Sequence, residues 1–377
     1  MSMNPLPFKK NYRISEHLSN LVGFRTSRKL IIIESDDWGS IRMPSLANYK
    51  FLFENGVPVN GGDSARYNTN DTVESAEDLT ALYEVLSGYK DANGRHPIFT
   101  ALALAANPDF DKIRESGFNQ YHYETLPQTY NRYGRGDMLP IWKQGMDRGL
   151  IVPEFHGREH LNVASWMRHL KNGDKNTMLG FENGCWGFRN TKPGSVSFQA
   201  AFDLENPEDI EPQREILADG LSLFKEVFGR KARLFVPPNG PINNSLQEVA
   251  HQNGIEFIST SKIQYEVFGH GKVKKHLHYP GQKNKYGQVY LTRNVYFEPN
   301  QAPDTCITNC LRLVNLAFKW KKPAVISTHR VNYIGGLNIE NRRVGLSKLN
   351  ELIATILKIW PDVEFISTSE LGDLMKK

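Results

Sequence analysis

The chain has 377 residues, 40% hydrophobic and 23% charged, and 46 Lys and Arg against 41 Asp and Glu leave a net charge of +5. Such a chain buries a sizeable core, which excludes wholesale disorder and the collagen-like, coiled-coil and disulfide-scaffold classes. The charge is too small to argue by itself for a nucleic-acid partner, and the length suits either two domains or one large α/β barrel with insertions.

The start, Met1 to Lys10, has no apolar stretch behind a basic one, so no signal peptide is expected and residues 1–28 read as an N-terminal extension. Lys29-Leu30-Ile31-Ile32-Ile33 is a short apolar run rich in β-branched residues, the pattern of a buried strand. Ser75-Ala76-Glu77-Asp78 resembles a capping box, and Leu79, Leu82, Val85 and Leu86 follow at helical spacing. Pro97 to Leu102 is the next strand; Leu139 to Gly149 is a helix, and Leu150-Ile151-Val152 a strand. Ile216, Leu217, Leu221, Phe224, Val227 and Phe228 line a helix that stops at Gly229, ahead of the strand Arg233 to Val236.

Leu246, Val249 and Ala250 mark a helix closed by Gly254, before the strand Ile255 to Ile258. The stretch 260–300 breaks the alternation; it is rich in Tyr, Lys, His and Gly, and its Gln288–Thr292 and Val295–Phe297 read as strands of an insertion. Cys306 and Cys310 share a helical face as structural residues, and three cysteines in all suit a reducing cytoplasm. Ala324 to Ser327 is a strand, Leu346 to Trp360 a long helix and Val363 to Ile366 the last strand. Alternating strands and helices predict a distorted (β/α) barrel of about seven parallel strands over residues 29–377, with a β-rich insertion. No run of about 18 apolar residues predicts a transmembrane helix.

Chemistry in parallel α/β folds gathers at the C-terminal strand ends. There stand Asp36-Asp37-Trp38, then His156-Gly157-Arg158-Glu159-His160, then Pro237-Pro238-Asn239-Gly240, then His329-Arg330. The spacing of His156 and His160 puts both imidazoles on one face of a helical turn, although among eleven histidines the pair is weak on its own and also fits surface or capping residues. Two adjacent carboxylates closing an apolar strand need compensation, from a cap, from Arg42 or Arg158, or from a cation. One Asp and two His leave an open position for water, as in a catalytic zinc site, and free the other Asp to act as base. His329 alone fits equally a buried histidine hydrogen-bonded to backbone; in this combination it is expected to be the general acid opposite Asp36.

These segments resemble the polysaccharide deacetylases, metal-dependent carbohydrate esterases with a distorted (β/α) barrel. The motifs span nearly the whole chain in the family's order. The resemblance implies that Asp36 is the base, that Asp37, His156 and His160 hold a divalent metal, Zn²⁺ above others, and that His329 is the acid. It further implies an oxyanion site at a backbone N–H near Asn239. Two departures stand out. Val236 occupies the place of the arginine that orients the base, leaving Arg330, Arg158 or Arg42 for that task, and Asn239 replaces an aromatic residue. The partner that tunes the acid histidine has only candidates: Asp304, Glu298 and Trp186. Pro238, Asn239, Trp38, Arg330 and Arg158 are the expected substrate contacts, and Tyr333, Trp186 and Phe188 are further aromatics at strand ends.

The implied activity is removal of an N-acetyl group from a sugar, glycan or glycan precursor, in the cytoplasm, in cell-surface polysaccharide synthesis. Two other readings remain open: a silent glycan-binding relative, and an amidohydrolase acting on a small non-sugar amide. Lys272–Lys275 and Lys319–Lys322 read as solvated faces rather than a nucleic-acid surface, and no glycine-rich phosphate loop predicts a nucleotide cofactor. His276 and His278 alternate as solvent-exposed residues or as a second metal pair.

Overall fold

The computed structural model describes residues 8, 11–61, 64–188 and 195–377, so most of the first ten residues lie outside the described residues. Nine parallel strands form one sheet. In chain order they are β1 (Lys29–Trp38), β2 (Phe99–Leu104), β3 (Ile151–Gly157), β4 (Leu234–Phe235), β5 (Phe257–Ser259), β6 (Val289–Leu291), β7 (Val295–Tyr296), β8 (Ala324–His329) and β9 (Val363–Phe365). Their order across the sheet is β6-β5-β4-β3-β2-β1-β8-β7, with β9 paired beside the first residues of β1. Helices cover the outer surface, as parallel strands buried on both faces require. Among the described residues no helix is long and apolar enough to cross a membrane.

The two edges of this curled sheet, β6 and β7, do not pair with each other. They are neighbours in the chain, joined only by Thr292, Arg293 and Asn294. Three residues thus stitch the barrel shut where no ladder does. Asn294 secures the stitch by accepting from Val325 N–H at 2.9 Å and donating to Pro323 O at 3.0 Å. The insertion expected over 260–300 is therefore narrower. Its antiparallel part is the hairpin Ile263–Val267 with Val273–Leu277, whereas β6 and β7 belong to the barrel. Val289, Tyr290 and Leu291 are all buried, which marks β6 as a strand covered on both faces rather than a half-exposed one.

The expected helices form, with shifted ends. Ser75 caps Ala76–Ser87 through a reciprocal box with Asp78, and Gly229, at φ 66°, ends the helix Ile210–Phe228. Cys306 and Cys310 are buried and free on the helix Cys306–Lys319. Strands β1, β3 and β8 continue through polar residues beyond their apolar runs, and those extra residues form the site.

Gly345, inside the helix Ile339–Ile359, lies against the backbone of Asn332, so a Cβ there would run into the Asn332 carbonyl oxygen. Asn332 Nδ2 in turn donates to His329 O and Glu298 Oε2. Gly345→Ala is expected to cost about 1–3 kcal/mol by overpacking. An unchanged melting temperature in thermal unfolding would contradict this packing.

Candidate active site

The register between β1 and β2 shifts between Ser35 and Trp38, and Asp37 adopts φ 78°, in the left-handed region that a non-glycine residue seldom occupies. In a regular strand neighbouring side chains face opposite ways. The irregularity brings Asp36 and Asp37 to the wall of one cavity of about 890 Å³, although each is buried.

His156 is the penultimate residue of β3 and His160 follows in a loop. The expected helical turn is absent. Gly157, at φ 140°, bends the chain instead, and a side chain there would press on the Glu159 carbonyl. The bend brings the imidazoles together, with ring centroids 5.1 Å apart. Asp37 Oδ1 lies 3.1 Å from His160 Nε2 and 3.5 Å from His156 Nε2. Donor atoms at adjacent corners of a tetrahedral Zn²⁺ site stand about 3.3 Å apart, given its usual bond lengths. Among the described residues this is the single group of three such side chains at metal-holding separation. His156 Nδ1 hydrogen-bonds the Val236 carbonyl at 2.7 Å, which leaves Nε2 as the nitrogen that could take a metal. Burial, aided by the nearby Arg42 cation, pushes His160 down to about 4, so it is neutral and ready to bind a metal. Burial opposes ionisation of Asp37, but Arg42 and the histidines hold it well below the usual carboxylate range. Arg42 reaches Asp37 Oδ2 at 3.1 Å and Asp71 at 3.2 Å.

The other half of the site is built on Arg293, from the stitch. Its Nη1 and Nη2 donate to the two oxygens of Asp36 at 2.7 and 2.6 Å, and Nε donates to Glu34 at 2.5 Å. Burial would raise the Asp36 pKa; Arg293 outweighs it and keeps the carboxylate ionised. Across the β1–β8 ladder Asp36 stands opposite His329, whose Nε2 is 3.7 Å from Asp36 Oδ2. His329 Nδ1 meets Glu298 Oε1 at 2.6 Å. Burial alone would lower the His329 pKa, but Glu298 and Asp36 raise it to about 9. Glu298 is itself fixed by Arg66 at 2.8 Å and Asn332 at 2.9 Å.

The structure thus brings together Asp36, Asp37, His156, His160 and His329. Among the candidate substrate contacts, Asn239 borders the cavity at φ 56°, a conformation Asn tolerates, and Pro237 rather than Pro238 lines it. Three candidates belong elsewhere. Trp38 is wholly buried, its indole N–H on Ser35 and its ring against Trp142. Arg330 is wholly buried on Asp71 and Glu74. Arg158 is bound to Glu159 and Asp219. Neither Arg330, Arg158 nor Arg42 holds Asp36, because each is claimed by other carboxylates; Arg293 holds it. Of the acid-histidine candidates, Glu298 is the partner, whereas Asp304 is exposed and Trp186 stacks on His160. Phe188 and Tyr333 are buried in the core. His276 binds Glu266, and His278, buried rather than exposed, is held by Gln264 and Gln282, so the alternating pair is spent within the hairpin. The signal for Arg293 was available: it follows an apolar strand, as Asp36 and His329 do.

At the level of sequence the chain matches no family model and no curated protein. Solved structures similar to it include one from Mycobacterium smegmatis assigned as a polysaccharide deacetylase, at 12% identity and TM-score 0.46, covering 94% of this chain and 93% of the other. Another from Pseudomonas aeruginosa, also assigned as a polysaccharide deacetylase, has 8% identity and TM-score 0.48 over 92% and 90% of the two chains. The Puue allantoinase has 10% identity and TM-score 0.47 over 99% and 96%.

The Glu298 contact has a measurable consequence. A raised imidazole pKa gives charge and stability that are complete below the ordinary value near 6.5 and fade as pH rises through about 9. Glu298→Gln is expected to move the His329 titration, followed by NMR, down toward the ordinary range. An unmoved titration would show that Glu298 does not set it.

Proposed function

We propose that the chain is a metal-dependent hydrolase that removes the N-acetyl group from a sugar, glycan or glycan precursor. The observation that carries this reading is one cavity wall holding both an Asp-His-His cluster at metal-chelating separation and, beside it, a separate ionised Asp facing a protonated His. The donor set of one carboxylate and two imidazoles suits Zn²⁺ and leaves a position open. When bound at Asp37, His156 and His160, such an ion supplies Lewis acidity to the amide carbonyl and to water.

The chain's own groups do the rest. Asp36, ionised and fixed in plane by Arg293, takes a proton from the attacking water as its oxygen bonds to the carbonyl carbon. His329, cationic at neutral pH, gives a proton from Nε2 to the departing nitrogen as the C–N bond breaks. Glu298 engages Nδ1, which keeps the transferable proton on the nitrogen that faces Asp36. The products are acetate and a free amine, and the proton on Asp36 then passes back to His329 or to solvent. Arg293 fills the orienting role for which Val236 is unsuited.

Purified protein should retain a stoichiometric divalent metal by elemental analysis and release acetate from N-acetylglucosamine oligomers. His156→Ala is expected to lose metal and turnover together. Asp36→Asn should keep the metal and lose about 10²–10⁴-fold in turnover, the scale of a general base. Full turnover by Asp36→Asn sinks the base assignment, and metal retention by His156→Ala sinks the ligand set.

A further inference from the structure

Most charged groups on the cavity wall are spoken for. Arg293 holds Asp36, Arg66 holds Glu298, Arg42 holds Asp37 and Asp71, and Glu16 is held by Arg312. Lys262 differs. It lies just beyond the C-terminal end of β5, at the junction between the large cavity and a small recess in its wall. Among the described residues its ammonium has no hydrogen bond and no carboxylate partner, and burial alone pushes it down to about 8. The neighbouring Lys322 shows the usual alternative, donating to the carbonyls of Val22, Gly23 and Phe24.

A second observation falls at the same corner. Thr260 lines the large cavity and Thr292 lines the recess. Both are at least nine-tenths buried, with 9% and 3% of their surface exposed, and among the described residues neither Oγ1 has a hydrogen-bond partner. Their strands are tied together at this point by the Thr260 N–H, which donates to Leu291 O at 3.1 Å. A desolvated cation and two buried hydroxyls, all unpartnered, share one need: an acceptor that carries negative charge. Arg293 directly follows Thr292, so this corner adjoins the clamp on Asp36.

We propose that Lys262, Thr260 and Thr292 form a subsite for an anionic group, a carboxylate or a phosphate, carried by the substrate. The inference rests on the hydrolase reading for what is turned over, but the subsite is testable by binding alone. The preferred substrate is then an acidic N-acetylated sugar, with neutral ones turned over less well.

Metal-loaded protein is titrated calorimetrically with D-glucose, D-glucuronate and D-glucose 6-phosphate, and the titrations are repeated for Lys262→Met and Lys262→Arg. Wild type should bind one of the two anionic sugars at least about tenfold more tightly than glucose, as expected for a charge-assisted contact. Lys262→Met should abolish that preference and Lys262→Arg should keep it. Any anion affinity at the metal is common to all three proteins and cancels. The carboxylate and phosphate arms identify which anion fits. Equal affinity of wild type for all three sugars overturns the subsite, as does an undiminished preference in Lys262→Met. If the preference depends on Lys262 while no acetylated substrate is hydrolysed, the subsite stands and the hydrolase reading falls.

Discussion

Burial of three carboxylates on one strand governs the rest of this structure. Glu34, Asp36 and Asp37 all lie on β1, with at most 7% of their surface exposed. Ionised groups cannot stay there alone, and removing one member of a buried ion pair typically costs about 3–5 kcal/mol. Arg293 answers Glu34 and Asp36, whereas Arg42 and two imidazoles answer Asp37. The same pairings that make the strand tolerable give the two aspartates different surroundings. One is locked by a fork of N–H donors, and the other faces a pair of imidazole nitrogens.

The barrel's closure and the clamp on Asp36 are the same feature. A sheet whose edges do not pair would leave a gap between β6 and β7, and a three-residue link crosses it. The middle residue of that link is Arg293, so the geometry that completes the barrel also delivers the guanidinium to Asp36. The parallel register sets Asp36 opposite His329, and the chain beyond β7 brings Glu298 to the far nitrogen of that imidazole. Arg330, one residue further on, is turned into the buried network of Asp71 and Glu74, which anchors the segments flanking the site. Adjacent residues thus face the cavity and the scaffold separately.

Several misplacements have clear physical causes. Apolar runs mark where a strand is hydrophobic, not where it ends, so β1, β3 and β8 extend through Asp37, His156 and His329. A spacing of four suggested a helical turn for His156 and His160, but a glycine-bent strand end brings two imidazoles together equally well. Arginines close in sequence to the site seemed fit to orient Asp36; each is consumed by a nearer carboxylate. Arg293, remote from Asp36 in sequence, was masked because its short flanking strands look like an insertion.

The sequence by itself determined the alternation of strands and helices, the capped helix starts, and the residue types at the strand ends, because these depend on periodicity and local hydrogen bonding. Asp36, Asp37, His156, His160 and His329 were legible for that reason. The tertiary structure alone decided which cation meets which anion. It sent Trp38, Arg158 and Arg330 into the scaffold, chose Glu298 over Asp304 for His329, and exposed the missing partners of Lys262. Charge pairing inside a protein depends on distance and burial across segments far apart in the chain, and neither quantity exists until the sheet has closed.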